Sequence, residues 1–270
     1  MSDENKSLSE QIETVVVPNQ PPKGLSGQVE KTRTRQKSYV LDLRIHSPAS
    51  LGYLSIEGID TAPALVRLAK VKGLDVIAVT DFYSGQFIDR ITEAAKGSPL
   101  TVIPGVAIRC VVGSCDDVVL SCLFPEGFTG AQIEGFLRSL DVPTAVAGDK
   151  AHLVRVPFER ILAAIEAHGG VALPSRMDKT PHRLAAIPTL VETYGFRAFD
   201  LAYADSTRFF KSKWPKLKFQ LFSFSNAHAL AQVGSRIAKV KMMEPGFTGV
   251  KAMVARDALD RAAAKDGAAV

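Results

Sequence analysis

From Ser38 onward, short apolar runs of strand length alternate with stretches whose apolar residues recur at helical spacing. Glycines mark several of the boundaries, as at Gly73, at 169–170 and at Gly195. Strands that alternate with helices are typical of parallel sheets with right-handed crossovers, either closed into a barrel or open and doubly wound. In both architectures the functional groups lie at the carboxyl ends of the strands. The pattern therefore predicts an α/β fold and the positions at which site residues should stand.

We predict seven strands and six helices from this alternation. The strands are expected at 39–45, 75–80, 101–110, 118–124, 170–174, 199–203 and 219–224. The helices are expected at 62–71, 87–95, 131–140, 157–167, 181–194 and about 250–265. Thr180 followed by Pro181 has the form of a helix N-cap and a first helical residue.

Residues 1–37 differ from the rest of the chain, because they are polar and their few apolar residues follow no sustained period. They predict a disordered tail that precedes one barrel domain at 38–270. The tail ends in a basic cluster formed by Lys31, Arg33, Arg35 and Lys37. Such a cluster is either a solvated linker or a contact for a nucleic acid or a protein partner.

Composition excludes several classes of protein. Apolar residues make up 46% of the 270 residues and the net charge is +5, as in many globular enzymes. No run approaches the ~20 apolar residues of a membrane span, and the first residues lack the layout of a secretory signal. The three cysteines, Cys110, Cys115 and Cys122, suggest reduced thiols and no disulfide framework. We therefore expect a cytoplasmic protein with no membrane association.

Polar residues stand at the end of most predicted strands, and their order carries a resemblance. The motifs are Asp42–Ser47, Gly73–Phe82, Val102–Ala107, Gly169–Arg176 and Ser225–His228. In order and spacing these five motifs resemble the PHP superfamily, the polymerase and histidinol phosphatase domain, over about residues 38–235. The resemblance implies a distorted (β/α)7 TIM-like barrel. It also implies metal-dependent phosphoester hydrolysis with a cluster of up to three metal ions.

Most of the positions at which that family carries metal ligands hold other residues here. Four of the family's histidines are replaced, as are one glutamate and one aspartate. The replacing residues are Arg44, Phe82, Val118 and Arg176 for histidine, Ala107 for glutamate, and Asn226 for aspartate. The family ligands that remain are His46, Asp81 and His228, and Asp200 stands where some members have glutamate.

These four residues limit the metal chemistry that is open to the chain. A multinuclear cluster needs several carboxylates and neutral imidazoles, and a guanidinium that keeps its proton cannot replace them. His46, Asp81, Asp200 and His228 could hold at most a reduced centre of one or two ions of manganese, iron or zinc. In that case His46, Asp81 and His228 are the catalytic candidates. Otherwise we expect no cofactor.

The substitutions suggest that fixed cations have replaced the metal ions. Alternation along the first strand would aim Arg44 and His46 into the barrel mouth and turn Leu41, Leu43 and Ile45 toward the helices. The planar fork of arginine binds phosphate oxygens in bidentate fashion. The predicted anion-binding residues are Arg44, Arg109, Arg176 and Lys179.

The sequence thus predicts a phosphoesterase-like pseudoenzyme that binds a phosphorylated small molecule or a nucleic-acid phosphate with little or no hydrolysis. Two other functions stay open, namely a phosphoesterase with a reduced metal site and a non-catalytic scaffold whose tail holds a protein partner. A purely structural interpretation of the arginines also stays open. In it, Arg44 pairs with Asp81 and Arg176 pairs with Asp200.

Overall fold

A computed structural model describes residues 36–257, and it contains eight strands and seven α-helices in that range. The strands are β1 Lys37–Ile45, β2 Val76–Val79, β3 Thr101–Val112, β4 Cys115–Leu123, β5 Val171–Pro174, β6 Ala198–Asp200, β7 Gln220–Phe222 and β8 Ala238–Met242. The helices are α1 Thr61–Val71, α2 Ile88–Ala95, α3 Gly130–Ser139, α4 Phe158–Ala167, α5 Pro181–Glu192, α6 Thr207–Lys213 and α7 Phe247–Val254. Most of the predicted tail lies outside the described residues, but Lys37 is the first residue of β1.

The strands form a curled sheet that extends around a barrel. Six of them are hydrogen-bonded in the order β5-β4-β3-β2-β1-β8, and β6 pairs in parallel with β7. Isolated bridges continue the curl on both sides, from Ser175 to Asp200 and from Ile45 to Ala227. The carboxyl ends of β1, β2, β5, β6 and β7 therefore come together around one opening, which we call the mouth.

Two strands depart from the parallel arrangement that we predicted. β4 is antiparallel to both β3 and β5, because only residues 113 and 114 separate it from β3 and leave no room for a crossover helix. β8, which the sequence pattern did not indicate, is antiparallel to β1. The sequence pattern also missed α6. The last helix is shorter than predicted, since Ala255–Asp257 are not helical, and residues beyond 257 lie outside the described range.

The core has two layers. One buried cluster contains residues from all eight strands and from α7, but none from α1 to α6 among the described residues, so it fills the inside of the curled sheet. Leu41 and Leu43 belong to this inner cluster, which corrects the prediction that they face the helices. The register of β1 against β2 shifts between Asp42 and Ile45, and this irregularity returns Ile45 to the outer cluster with the helices. The inner cluster forms the floor beneath the mouth.

Among residues 36–257, none of the helices is both long and apolar enough to cross a membrane.

Candidate functional site

Three stacked rings line one side of the mouth. His46 is fully buried, and its ring lies 4.1 Å from the His228 ring and 5.6 Å from the Phe82 ring, nearly parallel to both. Burial, followed by the charge of Arg44, lowers the pKa of His46 well below its usual range. The same two causes lower the pKa of His228. Both imidazoles are therefore neutral at physiological pH.

Arg44 lies beside this stack at the end of β1 and is only 3% exposed. Its Nε donates to Asn226 Oδ1 at 2.6 Å, and its Nη1 donates to Ser121 Oγ at 3.2 Å. Burial lowers its pKa to about 10, the Asp200 carboxylate opposes that shift, and the charges of Arg176 and Arg183 add to it. A guanidinium with this pKa remains charged at neutral pH, so Arg44 is a buried cation.

A second buried group, the Asp81 carboxyl, is enclosed by hydroxyl groups. Its Oδ2 accepts from Ser47 Oγ at 2.5 Å, and its Oδ1 accepts from Ser50 Oγ at 2.5 Å and from the Ser47 amide at 2.7 Å. Ser50 Oγ also lies 3.3 Å from Nδ1 of His46. Burial raises the pKa of Asp81, and the serine hydrogen bonds oppose that rise.

Asp200 is equally buried but much less satisfied. Its Oδ1 accepts from the Phe224 amide at 3.0 Å, whereas its buried Oδ2 has no hydrogen-bond partner among the described residues. Burial raises its pKa to about 6, and the charges of Arg44 and Arg176 oppose the rise. The buried Nε of Arg176 also lacks a partner within residues 36–257. Two polar atoms of opposite character are thus buried in the mouth without hydrogen bonds from the described protein groups.

Two residues of the mouth have an unusual backbone conformation. Arg176 has φ +54° and Asn226 has φ +52°, in the left-handed region that only small or turn-forming residues adopt readily. The Arg176 amide donates to the Asp200 carbonyl at 2.6 Å, which ties the turn after β5 to β6. Strained backbone of this kind collects at functional sites, where the surrounding structure enforces it.

Further cations stand around the opening. Thr180 caps α5 by accepting from the Arg183 amide, and Pro181 is the first helical residue, as predicted. Lys179 is exposed just before this cap, and burial together with the charges of Arg176 and Arg183 lowers its pKa. The charge of Lys150 acts on His46, His228 and Lys179 in the same direction. We call the set Arg44, Lys150, Arg176, Lys179 and Arg183 the cationic mouth.

The structure does not join Arg109 directly to this set. Arg109 Nε lies 2.7 Å from Asp117 Oδ1, and the same carboxylate accepts from Nε and Nη2 of Arg183 at 2.7 and 2.8 Å. Asp117 therefore neutralises part of the charge of both arginines at the rim. The structural ion pairs considered above do not form either, because no ion pair within residues 36–257 joins Arg44 to Asp81 or Arg176 to Asp200.

Sequence reasoning missed several polar partners in the mouth. Ser121 on β4 and Ser175 after β5 donate or accept at 2.9 Å from each other, and Ser121 also contacts Arg44. Each serine directly follows an apolar run, 118–120 for Ser121 and 171–174 for Ser175, and that signal could have identified them. Lys150 lies in a long loop between α3 and α4, where no local pattern distinguishes it from a solvated lysine.

The donors present do not fit the multinuclear metal cluster that the resemblance implies. Both oxygens of Asp81 already accept hydrogen bonds from serine hydroxyls, and Nε2 of His46 lies 3.5 Å from Asn226 Oδ1. The charge of Arg44 acts on His46, and it would repel a divalent cation bound there.

Comparison with known proteins gives a result only at the level of structure. No family model matches the sequence, and neither does any curated protein. The lesion-specific endonuclease Q of Pyrococcus furiosus has a similar structure, with a TM-score of 0.59 at 17% identity over 80% of this chain. Endonuclease Q in complex with a 27-mer duplex substrate, which carries an abasic lesion at the active site, gives a TM-score of 0.57 at 16% identity, again over 80% of this chain.

An amidohydrolase from Chromobacterium violaceum, with bound sulfate and no metal, gives a TM-score of 0.52 at 15% identity and covers 81% of this chain and 98% of its own. By contrast, the present chain covers only 56% of each endonuclease chain. At such low identity these similarities establish a shared barrel-like fold. The fold is thus one that endonuclease and hydrolase structures also use.

Proposed function

We propose that this chain is a PHP-type (β/α)7 barrel that binds the phosphate group of a phosphorylated ligand or of a nucleic acid, with little or no hydrolysis. In this proposal the cationic mouth takes the place of the metal ions. The observation that carries it is the buried guanidinium of Arg44, which is only 3% exposed and has Arg176 and Arg183 close enough to lower its pKa. Asp117 pairs with Arg183 and Asp200 offsets part of the remaining charge, so a bound anion would chiefly offset Arg44 and Arg176.

The hydrogen-bonding capacity of the mouth supports an oxyanion as the ligand. Arg44 uses Nε and Nη1 on Asn226 and Ser121, while the buried Nε of Arg176 has no partner among the described groups. Guanidinium groups bind the oxygens of phosphate or sulfate through two parallel N–H donors. Lys179 and Lys150 add charge at the outer edge, where a phosphate would enter.

We propose little or no hydrolysis because of the chemistry of the same residues. Hydrolysis of a phosphoester requires an activated water, which in this family comes from the metal cluster. His46 is neutral, but its ring is fully buried between Phe82 and His228, and Nδ1 faces Ser50. We therefore assign His46 and His228 to the wall of the pocket, where neutral rings leave the charge to the arginines.

The structural neighbours are compatible with this function. One of them was solved with a bound sulfate and no metal, and another with a DNA duplex. Both ligands carry tetrahedral oxyanions, which is the chemical group that the cationic mouth would recognise.

The test is stabilisation of the protein by sulfate and by a short 5′-phosphorylated oligonucleotide, measured as a rise in melting temperature and by calorimetry. Arg176→Gln and Arg44→Gln should each weaken sulfate binding about tenfold or more, which corresponds to ~1.4 kcal/mol. Arg67→Gln is the matched control, because Arg67 is exposed on α1 outside the mouth.

Two results would overturn the proposal. The first is sulfate and oligonucleotide binding that Arg176→Gln and Arg44→Gln leave as tight as in the wild type. The second is protein that retains stoichiometric manganese, iron or zinc after dialysis and hydrolyses a phosphodiester, with both properties lost in His46→Ala. That second result would favour the phosphoesterase with a reduced metal site.

A further inference from the structure

One carboxylate at the rim of the mouth lies against two arginines. Asp117, near the start of β4, accepts from Nε and Nη2 of Arg183 at 2.7 and 2.8 Å. Its Oδ1 also lies 2.7 Å from Nε of Arg109. Guanidinium groups bind carboxylate and phosphate oxygens through the same planar fork of N–H donors. The Asp117 carboxylate therefore occupies a place that suits the oxygens of an anionic ligand.

This carboxylate does not satisfy Arg109 fully. The buried Nε of Arg109 is close to Asp117 Oδ1, but it makes no aligned hydrogen bond there and has no other partner among residues 36–257. Nη1 of Arg109 donates to the Ala151 carbonyl at 3.3 Å. Buried donors without an acceptor are rare in native proteins, and each calls for a partner that the protein groups do not supply. Arg109 thus keeps a donor for a ligand oxygen.

The rim arginines differ from Arg44 in their access to solvent. The side chains of Arg109, Asp117 and Arg183 are 28%, 21% and 13% exposed, whereas Arg44 is 3% exposed. Nη1 of Arg183 also lies 3.5 Å from the Arg176 carbonyl, so the rim pair adjoins the cationic mouth. A dissolved anion can therefore reach the rim arginines beside the mouth.

We propose that Arg109 and Arg183 form an outer anion subsite, which Asp117 fills in the free protein and which one phosphoryl group of a diphosphate ligand takes over. This inference rests on the proposed function, because the other phosphoryl group lies in the cationic mouth beside Arg176. The two phosphoryl groups of a diphosphate share one bridging oxygen and so need two anion sites that adjoin. Arg183 belongs to both sites and connects them.

The charge of the ligand decides whether Asp117 is displaced. A carboxylate offers the two arginines one negative charge and two oxygens. A terminal phosphoryl group carries a charge of about −1.5 to −2 at pH 7 and offers three acceptor oxygens. A diphosphate can therefore replace Asp117 at the rim while its other half stays in the mouth. Sulfate has a single anionic group, which the mouth alone accommodates, so Asp117 acts as a specificity-determining residue.

The first experiment measures binding of inorganic pyrophosphate and of sulfate to the full chain by calorimetry, without divalent cations. Arg109→Gln should weaken pyrophosphate binding about tenfold, because a charged hydrogen-bond donor is lost, and the loss for sulfate should be at least about fivefold smaller. Arg160→Gln is the matched control, since Arg160 is half-exposed and its ion pair is with Asp141. It should leave the binding of both anions unchanged.

The second experiment removes the internal competitor. Asp117→Asn should bind pyrophosphate about tenfold more tightly than the wild type, because no carboxylate then competes for the two arginines. The gain should vanish in the double variant Arg109→Gln/Asp117→Asn. Asp116→Asn is the control, since Asp116 is the next residue and its carboxylate lies 3.2 Å from His182 Nε2. An equal gain in Asp116→Asn would show a general effect of charge and overturn the subsite.

The outcomes separate this inference from the proposed function. If Arg109→Gln weakens both anions equally or weakens neither, the outer subsite is wrong and phosphate binding in the cationic mouth stands. If Asp117→Asn lowers stability without tightening pyrophosphate binding, Asp117 only supports the fold and the inference is also wrong. If Asp117→Asn does not fold, Arg109→Gln decides alone, because it keeps the pair of Asp117 with Arg183. If neither anion binds the wild type, the proposed function itself fails.

Discussion

Two buried carboxyl groups in the mouth differ in how their oxygens are used. Asp81 accepts three hydrogen bonds, from two serine hydroxyls and one amide, and both of its oxygens are engaged. Asp200 accepts one hydrogen bond from a backbone amide, and its second oxygen has no partner among the described residues. Both stand at strand ends that carry metal ligands in the family that the sequence resembles.

The difference separates a carboxyl with a structural role from one whose second oxygen is still open to a partner. The hydroxyl groups of Ser47 and Ser50 enclose Asp81, so this residue holds the turn after β1 to the end of β2. Asp200 has instead been left between Arg44 and Arg176 without a direct ion pair to either. Buried polar atoms without partners are rare in native proteins and mark places where a ligand or a mechanism supplies the missing contact.

The largest effect should come from removing the structural carboxyl. Asp81→Ala leaves two serine hydroxyls and the Ser47 amide buried without an acceptor, and each unsatisfied donor costs about 1–3 kcal/mol. We expect the free energy of unfolding to fall by about 4 kcal/mol in urea denaturation. Sulfate binding by the folded fraction should stay within about twofold of the wild type, because Arg44 and Arg176 are unchanged.

A matched comparison comes from the two serines. Ser47→Ala and Ser50→Ala remove one hydroxyl donor each, so each should destabilise the protein by only about 1 kcal/mol. If Asp81→Ala lowered the free energy of unfolding no more than either serine substitution, the structural role assigned to Asp81 would be wrong.

The second effect is a pH dependence that belongs to Asp200. Its pKa is about 6 in the folded protein and near 3.8 in the unfolded chain, so between these values the folded state binds the extra proton. Stability therefore falls as the pH rises from about 4 to 6, by about 3 kcal/mol when the loss is complete. Asp200→Asn should lack this loss, so its stability relative to the wild type should rise with pH across the same interval.

Chemical denaturation at a series of pH values measures both proteins. The other buried carboxyls titrate in both proteins, so the difference between the curves reports Asp200 together with its interaction with Asp42. Parallel curves between pH 4 and 7 would mean that Arg44 and Arg176 stabilise the ionised carboxylate as well as water does.

The smallest effect concerns the backbone strain at Arg176. A non-glycine residue at φ +54° costs about 1–2 kcal/mol. Glycine removes this steric cost but loses more conformational entropy on folding, so the substitution regains only part of it. Arg176→Gly should therefore stabilise the protein by about 1 kcal/mol in thermal unfolding while it weakens sulfate binding. A destabilised variant with normal sulfate binding would show that Arg176 serves the fold and not the ligand.

The sequence alone predicted most strands and helices, because apolar periodicity and glycine punctuation record the local burial of each element. It missed β8 altogether, and it missed the antiparallel direction of β4, because β3 extends to Val112 and leaves only two residues as the connection. It also failed at Leu41 and Leu43. A register shift between Asp42 and Ile45 places Ile45 in the other cluster from Leu41 and Leu43, and strict alternation cannot anticipate such an irregularity.

For the site, motif positions placed Arg44, Arg176, His46 and His228 at one opening, and the structure brings them together. Arg109 was predicted from the same strand alternation, but it is paired with Asp117, a carboxylate that the sequence analysis did not single out. Lys150 belongs to the site only through the folding of a long loop. A residue whose role depends on a tertiary partner has no local sequence signal, and sequence analysis therefore does not identify it.

Three hydrogen bonds of the first strand bear on how the chain acquires its fold during synthesis. Arg44 on β1 hydrogen-bonds to Asn226, and Asp42 accepts from the amides of Ser225 and Gly234, which lie 183 and 192 residues further along. The first strand therefore emerges from the ribosome long before its closing partners exist. Until then one edge of β1 is unprotected, and contacts this distant in sequence form slowly. Nascent chains that stop before Gly234 should be the species that chaperones and proteases capture.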